Sequence, residues 1–184
     1  MKNGESSYSR FLSGDKYALD ELIRDYKDGL IFYLYSIVGD IQKAEDFAID
    51  TFIKLYTDRP TFRGESAFKT WLYTIGRNIA YDSMRRKPKY TEVPLDDAYD
   101  ISEAASLEKE YIKDEDKLVL RRAIRKLKPE YGQILYLVYI EGFDNSEAGD
   151  IMKKSGKQVR DLLYRAKGAL KKELEKEGFV YEEL

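Results

Sequence analysis

Basic, amide and aromatic side chains are concentrated in two parts of this chain, residues 61–89 and residues 153–176. Aromatic rings can stack on unpaired bases, while lysine and arginine side chains bind phosphates or guanine. Both groups are therefore suited to contact with nucleic acid. The elements that hold these side chains decide whether they can act together.

Covalent and metal chemistry has little support in the composition. The 184 residues include no cysteine and no histidine, which excludes disulfides, thiol catalysis, Cys/His zinc sites and imidazole-dependent triads. We find no carboxylate pair, phosphate loop or metal constellation suited to catalysis, so no catalytic residue, metal ligand or cofactor is predicted. No apolar run reaches membrane-spanning length, and the N-terminus lacks a signal-peptide core. We therefore expect a cytoplasmic protein without enzymatic activity or membrane insertion.

The distribution of charge is more informative than the net charge of −2. Residues 92–116 contain ten acidic residues and two lysines, whereas residues 153–176 contain nine basic and three acidic residues. Residues 85–89 form a shorter basic cluster. Patches of this kind are typical of surfaces that meet oppositely charged partners, although solvated helix ends have the same composition.

Apolar residues recur at steps of three and four in two blocks, which predicts an all-α fold of two small helical domains. In the first block the pattern predicts three helices, separated at Gly39-Asp40 and Arg59-Pro60, with a short extra turn before them. The third of these helices is expected to begin near Ser66 and end at Pro88. The boundaries follow as residues 1–90, an acidic linker at 91–115 and residues 116–184.

The second block contains the spacing of a helix-turn-helix. A short helix turns at Ser155-Gly156 into a long one, and Ser155 is suited to cap the latter. The side chains predicted to face outward from the second helix are Lys157, Gln158, Arg160, Asp161, Tyr164 and Arg165. Such residues can contact phosphates and bases in the major groove. An ordinary α-hairpin with a charged face is the alternative.

The first block contains aromatic and polar residues in a loop before its third helix. The candidate binding residues of the loop are Phe62, Arg63, Gly64, Ser66 and Ala67. Those of the helix that follows are Arg77, Asn78, Arg85, Arg86 and Lys87. Phe68 and Trp71 have the spacing of core residues. Phe62 is therefore the better candidate for stacking on an unpaired base.

These stretches together resemble the extracytoplasmic-function (ECF, group 4) sigma factors of the bacterial sigma-70 family. The resemblance rests on three groups of residues in the same order as in the family, and it extends from about Ala18 to Leu174. These groups are Ala44-Glu45-Asp46-Phe47 with Thr51-Phe52, Phe62-Arg63-Gly64 with Trp71-Leu72-Tyr73 and Arg77-Asn78, and Val159 with Leu163-Tyr164-Arg165-Ala166.

The resemblance implies a region 2 domain that binds core RNA polymerase and melts the promoter, and a region 4 helix-turn-helix. It implies that Glu45, Asp46 and Asp50 dock on the β′ clamp, with Ile49 where the family often has Gln. Residues 62–67, Arg77, Asn78 and residues 85–87 would then bind the minus-ten element. The residues that would bind the minus-thirty-five element are Ser155, Lys157, Gln158, Arg160, Asp161, Tyr164 and Arg165. Gly149 stands where the family usually has Ala.

The resemblance also implies that the linker threads toward the RNA exit path, that the β flap is a second polymerase contact, and that an anti-sigma factor is an allowed partner. We expect a sigma factor that opens a two-part promoter by holding unpaired bases better than paired ones. One alternative is a helix-turn-helix regulator that acts without core polymerase. Another is a nonenzymatic interaction protein that uses these blocks only for docking.

Overall fold

The computed structural model describes residues 4–86, 120 and 122–176, and every regular element in them is helical. This confirms the all-α fold class. The first block consists of α1 (Gly4–Leu12), α2 (Tyr17–Val38), α3 (Ile41–Asp58) and α4 (Phe68–Arg86). The expected short turn before α2 is a full helix of nine residues, and α4 begins two residues later than expected. The expected acidic linker lies outside the described residues.

The boundaries of α2 and α3 follow from the residues between them. Gly39 ends α2 in the left-handed conformation, with φ of 71°, and its N–H donates to the Tyr35 carbonyl. Asp40 then caps α3 by accepting a 3.0 Å hydrogen bond from the Lys43 N–H. Glycine has no Cβ to oppose a positive φ, so a single Gly-Asp pair suffices to reverse the chain.

The core of the first block lies between α2, α3 and α4. Its almost completely buried aliphatic side chains include Ala18, Leu22, Leu30, Leu34, Ala44, Ala48, Leu55, Leu72 and Ala80. They lie on one face of each helix, as the three- and four-residue spacing predicts. Burial of these side chains removes apolar surface from water and holds α4, which carries the candidate residues Arg77, Asn78, Arg85 and Arg86, in a fixed orientation.

The second block contains the expected helical hairpin. Its elements are α5 (Pro129–Leu135), a π-helical turn (Tyr136–Ile140) that continues α5, α6 (Asn145–Met152) and α7 (Gly156–Lys176). Residues 122–125, which precede α5, are also helical. Pro129 lies in the first turn of α5, where its missing N–H has no helical partner to lose. None of the helices in the described part has the length and hydropathy needed to cross a membrane.

The two blocks pack against each other through polar side chains of α4 and residues within and just before α6. The Lys69 ammonium lies 2.9 Å from the Glu141 carboxylate and donates to the Glu141 carbonyl oxygen at 2.7 Å. The buried Tyr73 hydroxyl donates to the same carboxylate at 2.7 Å. Thr70 donates to Glu147 at 3.2 Å, and Lys69 also lies 4.6 Å from the centre of the Phe143 ring. We call these residues the interblock cluster.

Candidate nucleic-acid interface

The candidate docking residues lie on the outer face of α3. Asp46 and Asp50 are exposed and Glu45 is half-buried. Beside them, Ile49, Ile53 and Tyr56 are each about half-exposed, at 49 %, 50 % and 54 %. Their spacing of four and three residues makes an apolar stripe on the surface of α3.

This stripe was not predicted in full from the sequence, which drew attention to Ile49 alone. The sequence contained a signal for it, because Ile53 and Tyr56 are large apolar residues that lie outside the buried repeat of Ala44, Ala48 and Leu55. An exposed apolar stripe with carboxylates beside it is typical of a protein-binding surface. The structure therefore adds an apolar component to the expected acidic docking face.

The loop of residues 62–67 is exposed for most of its length, and Phe62 is half-buried at its beginning. The Phe62 ring lies 5.2 Å from the Trp71 ring and 5.6 Å from the Phe68 ring, between ring centres. Gly64 has a φ of 71°, which turns the chain without a side chain in the way. One edge of Phe62 is therefore supported by other rings, while the polar residues that follow it face solvent.

The candidate residues Arg77 and Asn78 are half-buried on α4, beyond the loop. The Arg77 guanidinium lies 4.3 Å from the centre of the Tyr81 ring, and the Tyr81 hydroxyl is 3.4 Å from Gln133 of the second block. Burial raises the pKa of the neighbouring Tyr33, and the charge of Arg77 opposes that shift. Arg77 is thus held by aromatic groups and is less accessible than a surface arginine.

The basic cluster at the end of α4 is described only in part. Arg85 is exposed and pairs with Asp82 one turn before it. Arg86 is the last residue of α4, and Lys87 lies outside the described residues. An exposed ion pair of this kind is worth little, so Asp82 does not prevent Arg85 from meeting a phosphate.

The expected cap of α7, the second helix of the hairpin, is present and involves two side chains. The Gln158 N–H donates to the Ser155 hydroxyl at 3.3 Å, and the Ser155 N–H donates to the Gln158 side-chain oxygen at 2.8 Å. This reciprocal pair is a capping box. Because a bidentate contact with adenine needs both ends of the Gln158 amide, the cap competes with base reading by Gln158.

The remaining candidate residues of α7 are exposed along one side of the helix. These are Lys157, Arg160, Asp161, Tyr164 and Arg165. Tyr164 is 83 % exposed, and the Arg165 guanidinium donates to the Asp161 carbonyl one turn earlier. The opposite side of α7 carries Val159, Leu162, Leu163 and Ala166 into the core. The structure therefore brings the basic side chains together on the solvent face of the second helix of the hairpin.

Gly149 allows α6 to approach the turn that leads into α7. A Cβ at this position would lie 2.9 Å from the Lys154 carbonyl oxygen and 3.3 Å from a methyl carbon of Val159. The Lys154 N–H donates to the Gly149 carbonyl at 2.9 Å. Glycine at this position therefore permits a close packing that alanine would disturb, a role that the sequence alone did not reveal.

Comparisons with known proteins agree on one family. The family model Sigma-70 region 2 matches residues 22–89, and the model Sigma-70, region 4 matches residues 117–170. The RNA polymerase sigma-H factor of Pseudomonas aeruginosa is 31 % identical over 175 residues, which cover 90 % of this chain and 91 % of that protein. The ECF RNA polymerase sigma factor SigW of Bacillus subtilis is 30 % identical over 173 residues, covering 88 % and 91 %.

Solved structures with a similar fold include two protein complexes. CnrH, solved with the cytosolic domain of CnrY, has a TM-score of 0.66 at 21 % identity and covers 95 % of this chain and 98 % of that one. The sigma factor RpoE of Bartonella quintana, solved with the anti-sigma factor NepR, has a TM-score of 0.60 at 20 % identity and covers 85 % and 96 %.

Proposed function

The chain belongs to the sigma-70 family and is an ECF RNA polymerase sigma factor, and from this premise we propose that its blocks divide promoter recognition between them. Residues 1–90 bind core polymerase and the minus-ten element. Residues 91–115 form an acidic linker, and residues 116–184 bind the minus-thirty-five element. The protein catalyses no reaction itself, and opening is driven by its preference for unpaired bases.

The observation that carries this proposal is the position of Phe62. Its ring is half-buried against Phe68 and Trp71, and it begins an exposed loop that turns at Gly64. A base that leaves the duplex can stack on such a supported ring, at a gain of about 1–3 kcal/mol per base. Asn78 on α4 supplies amide donor and acceptor groups, and Arg85 supplies positive charge for the backbone.

The upstream element is bound by α7. Its exposed Lys157, Arg160 and Arg165 can reach phosphates and base edges when the N-terminal half of α7 enters the major groove. The net charge of the protein is negative, so free DNA is bound weakly. Promoter binding therefore depends on the polymerase complex.

Core polymerase is bound through α3. The exposed carboxylates Asp46 and Asp50 beside the stripe of Ile49, Ile53 and Tyr56 favour a partner that offers both cationic and apolar groups. We assign this face to the β′ clamp and a second contact, made by the region 4 block, to the β flap. Because RpoE of similar fold was solved with NepR, an anti-sigma factor is a further partner.

The alternative of a regulator that acts without polymerase is less well supported. Duplex binding by a helix-turn-helix requires neither an exposed apolar stripe on α3 nor a loop 62–67 whose Phe62 packs against other aromatic rings. Binding of α7 to duplex DNA is common to both functions. Polymerase binding and strand opening distinguish them.

The test uses holoenzyme reconstituted from the full chain and core polymerase, on a promoter selected from random DNA by that holoenzyme. Phe62→Ala and Asn78→Ala should retain core binding and upstream recognition but reduce permanganate reactivity of thymines in the minus-ten element. A promoter already unpaired across this element should recover part of the loss, because the cost of unpairing has been removed.

Tyr17→Ala is the matched control, since it removes an 80 % exposed ring from α2. It should leave thymine reactivity unchanged. Reactivity equal to the wild type in both Phe62→Ala and Asn78→Ala would overturn the assignment of the loop. Failure of the full chain to bind core polymerase would overturn the function as a whole.

A further inference from the structure

Helix α1 contacts the beginning of the proposed base-capturing loop, although it precedes the match to region 2, which starts at residue 22. Tyr8 of α1 is 1 % exposed, and its hydroxyl donates to the Pro60 carbonyl at 2.7 Å. Burial raises the pKa of Tyr8 to about 12, against the opposing charge of Arg59. The hydroxyl is therefore a proton donor at any physiological pH, and it joins two points 52 residues apart.

Tyr8 and Phe62 are supported by the same two rings. The Tyr8 ring centre lies 5.6 Å from Phe68 and 5.3 Å from Trp71. Phe62 lies at similar distances from both, 5.6 Å and 5.2 Å. Protein interiors are closely packed and leave little free space. A displacement of the Tyr8 ring should therefore also displace the Phe62 ring, because both pack against Phe68 and Trp71.

Backbone strain marks the residue that leads into this loop. Arg59, which ends α3, has φ of 45° and ψ of 53°. This left-handed conformation costs energy for a residue with a side chain, and a following proline restricts the backbone further. The Arg59 guanidinium lies 5.4 Å from the centre of the Phe11 ring of α1. Phe11 and Tyr8 thus hold the two consecutive residues Arg59 and Pro60.

The loop has few other restraints among the described residues. Outside the helices, no backbone–backbone hydrogen bond there involves residues 60–66. The Arg63–Glu65 ion pair is long, at 4.0 Å, and exposed. α1 is itself fixed to α2, because Arg10 and Ser7 bind Glu21 at 2.6 Å and 2.8 Å. The position of the loop therefore depends on side chains of α1 as well as on the packing of Phe62 against α4.

We propose that α1 is the positioning element of the base-capturing loop, with Tyr8 as its principal positioning residue. The Tyr8 hydroxyl holds the Pro60 carbonyl, and this sets the direction in which the chain leaves α3 and presents Phe62 to the unpaired strand. The proposal rests on the proposed function of the loop. It adds α1 to the parts of the protein that determine promoter opening.

The experiment compares Tyr8→Phe, Phe62→Ala and the double variant in reconstituted holoenzyme on the selected promoter. Tyr8→Phe removes only a hydroxyl, and we expect about two- to tenfold less open complex by permanganate reactivity, the range that corresponds to one hydrogen bond. Core binding should be unchanged. Because Tyr8 acts through Phe62, adding Tyr8→Phe to Phe62→Ala should cause no further loss.

The matched control is Tyr73→Phe, which removes an equally short tyrosine hydrogen bond from the interblock cluster. It should lower stability to urea about as much as Tyr8→Phe without lowering promoter opening. A reduction by Phe62→Ala but none by Tyr8→Phe would overturn the role of α1 and leave the loop assignment standing. Equal losses in Tyr8→Phe and Tyr73→Phe, or additive losses in the double variant, would also overturn it, since they indicate general destabilisation.

Discussion

Removal of the Glu141 side chain should destabilise the packing of the two blocks, because this carboxylate is the centre of the interblock cluster. It is 13 % exposed and accepts from Lys69 at 2.9 Å and Tyr73 at 2.7 Å. Glu141→Ala leaves the Tyr73 hydroxyl buried without its acceptor, at a cost of about 1–3 kcal/mol. Lys69 keeps its bond to the Glu141 carbonyl oxygen and its contact with the Phe143 ring, so loss of the ion pair between Lys69 and the Glu141 carboxylate adds only about 1 kcal/mol.

The expected reduction in unfolding free energy is therefore about 2–4 kcal/mol for Glu141→Ala. Glu141→Gln keeps the shape and one acceptor, and exchanges charge-assisted for neutral hydrogen bonds. Its cost should be about 1 kcal/mol. Burial, the larger cause, raises the pKa of Tyr73, and this keeps the hydroxyl protonated and able to donate in both variants, although the Glu141 charge that raises this pKa further is then absent.

Urea unfolding followed by circular dichroism measures these differences. Glu130→Ala is the control, because it breaks an ion pair of 2.7 Å with Lys154 in which Glu130 is 55 % exposed, and it should cost no more than about 1 kcal/mol. Adding Tyr73→Phe to Glu141→Ala should restore stability, since the unsatisfied hydroxyl is then gone. Equal midpoints for Glu141→Ala and Glu130→Ala would refute this reasoning, as would further loss in the double variant.

Three other predictions concern the candidate surfaces and the helix-turn-helix. Asp46→Lys should weaken core polymerase binding by at least about tenfold at unchanged helical content, whereas Asp20→Lys on α2 should not; equal binding by both would remove α3 from the docking face. If Arg160 contacts a phosphate, Arg160→Ala should lower the salt slope of upstream binding by about 1 at all sequences; if it contacts a base, discrimination at one position should relax by about 1–3 kcal/mol. If both effects are absent, the hairpin is purely structural. Gly149→Ala should lower the unfolding free energy by about 1–3 kcal/mol, because the added Cβ meets a carbonyl oxygen. Gly168→Ala, which meets no atom within 4 Å, should raise the unfolding free energy by about 0.5–1 kcal/mol; a stabilised Gly149→Ala variant would contradict the packing argument.

Local patterns were sufficient to predict most helices and their ends. The apolar repeats, the Gly39-Asp40 junction and Pro129 act through contacts within a few residues, so they are visible in sequence. The same holds for Ser155 as a cap. The role of Gln158 in that cap was missed, although its position three residues after a serine is the signal of a capping box.

Contacts between distant residues could not be predicted in this way. α1 has only two large apolar residues facing the core, Tyr8 and Phe11, and the rings that they contact outside α1 belong to Phe68, Trp71 and Tyr56, far along the chain. The pairing of Lys69 with Glu141 joins residues 72 positions apart. Neither residue differs in sequence from any surface lysine or glutamate, so only the packing of α4 against the second block reveals their role.

Trp71 is the single tryptophan of the chain, and it lies within 5.2 Å of Phe62 and 5.3 Å of Tyr8 between ring centres. Excitation at the red edge of the protein absorption band, where tyrosine does not absorb, therefore reports from this one location. Indole emission depends on the polarity and stacking of its surroundings. The protein thus contains an intrinsic optical probe beside the loop 62–67, and fluorescence of the isolated, unlabelled chain can report a change in the packing of this loop.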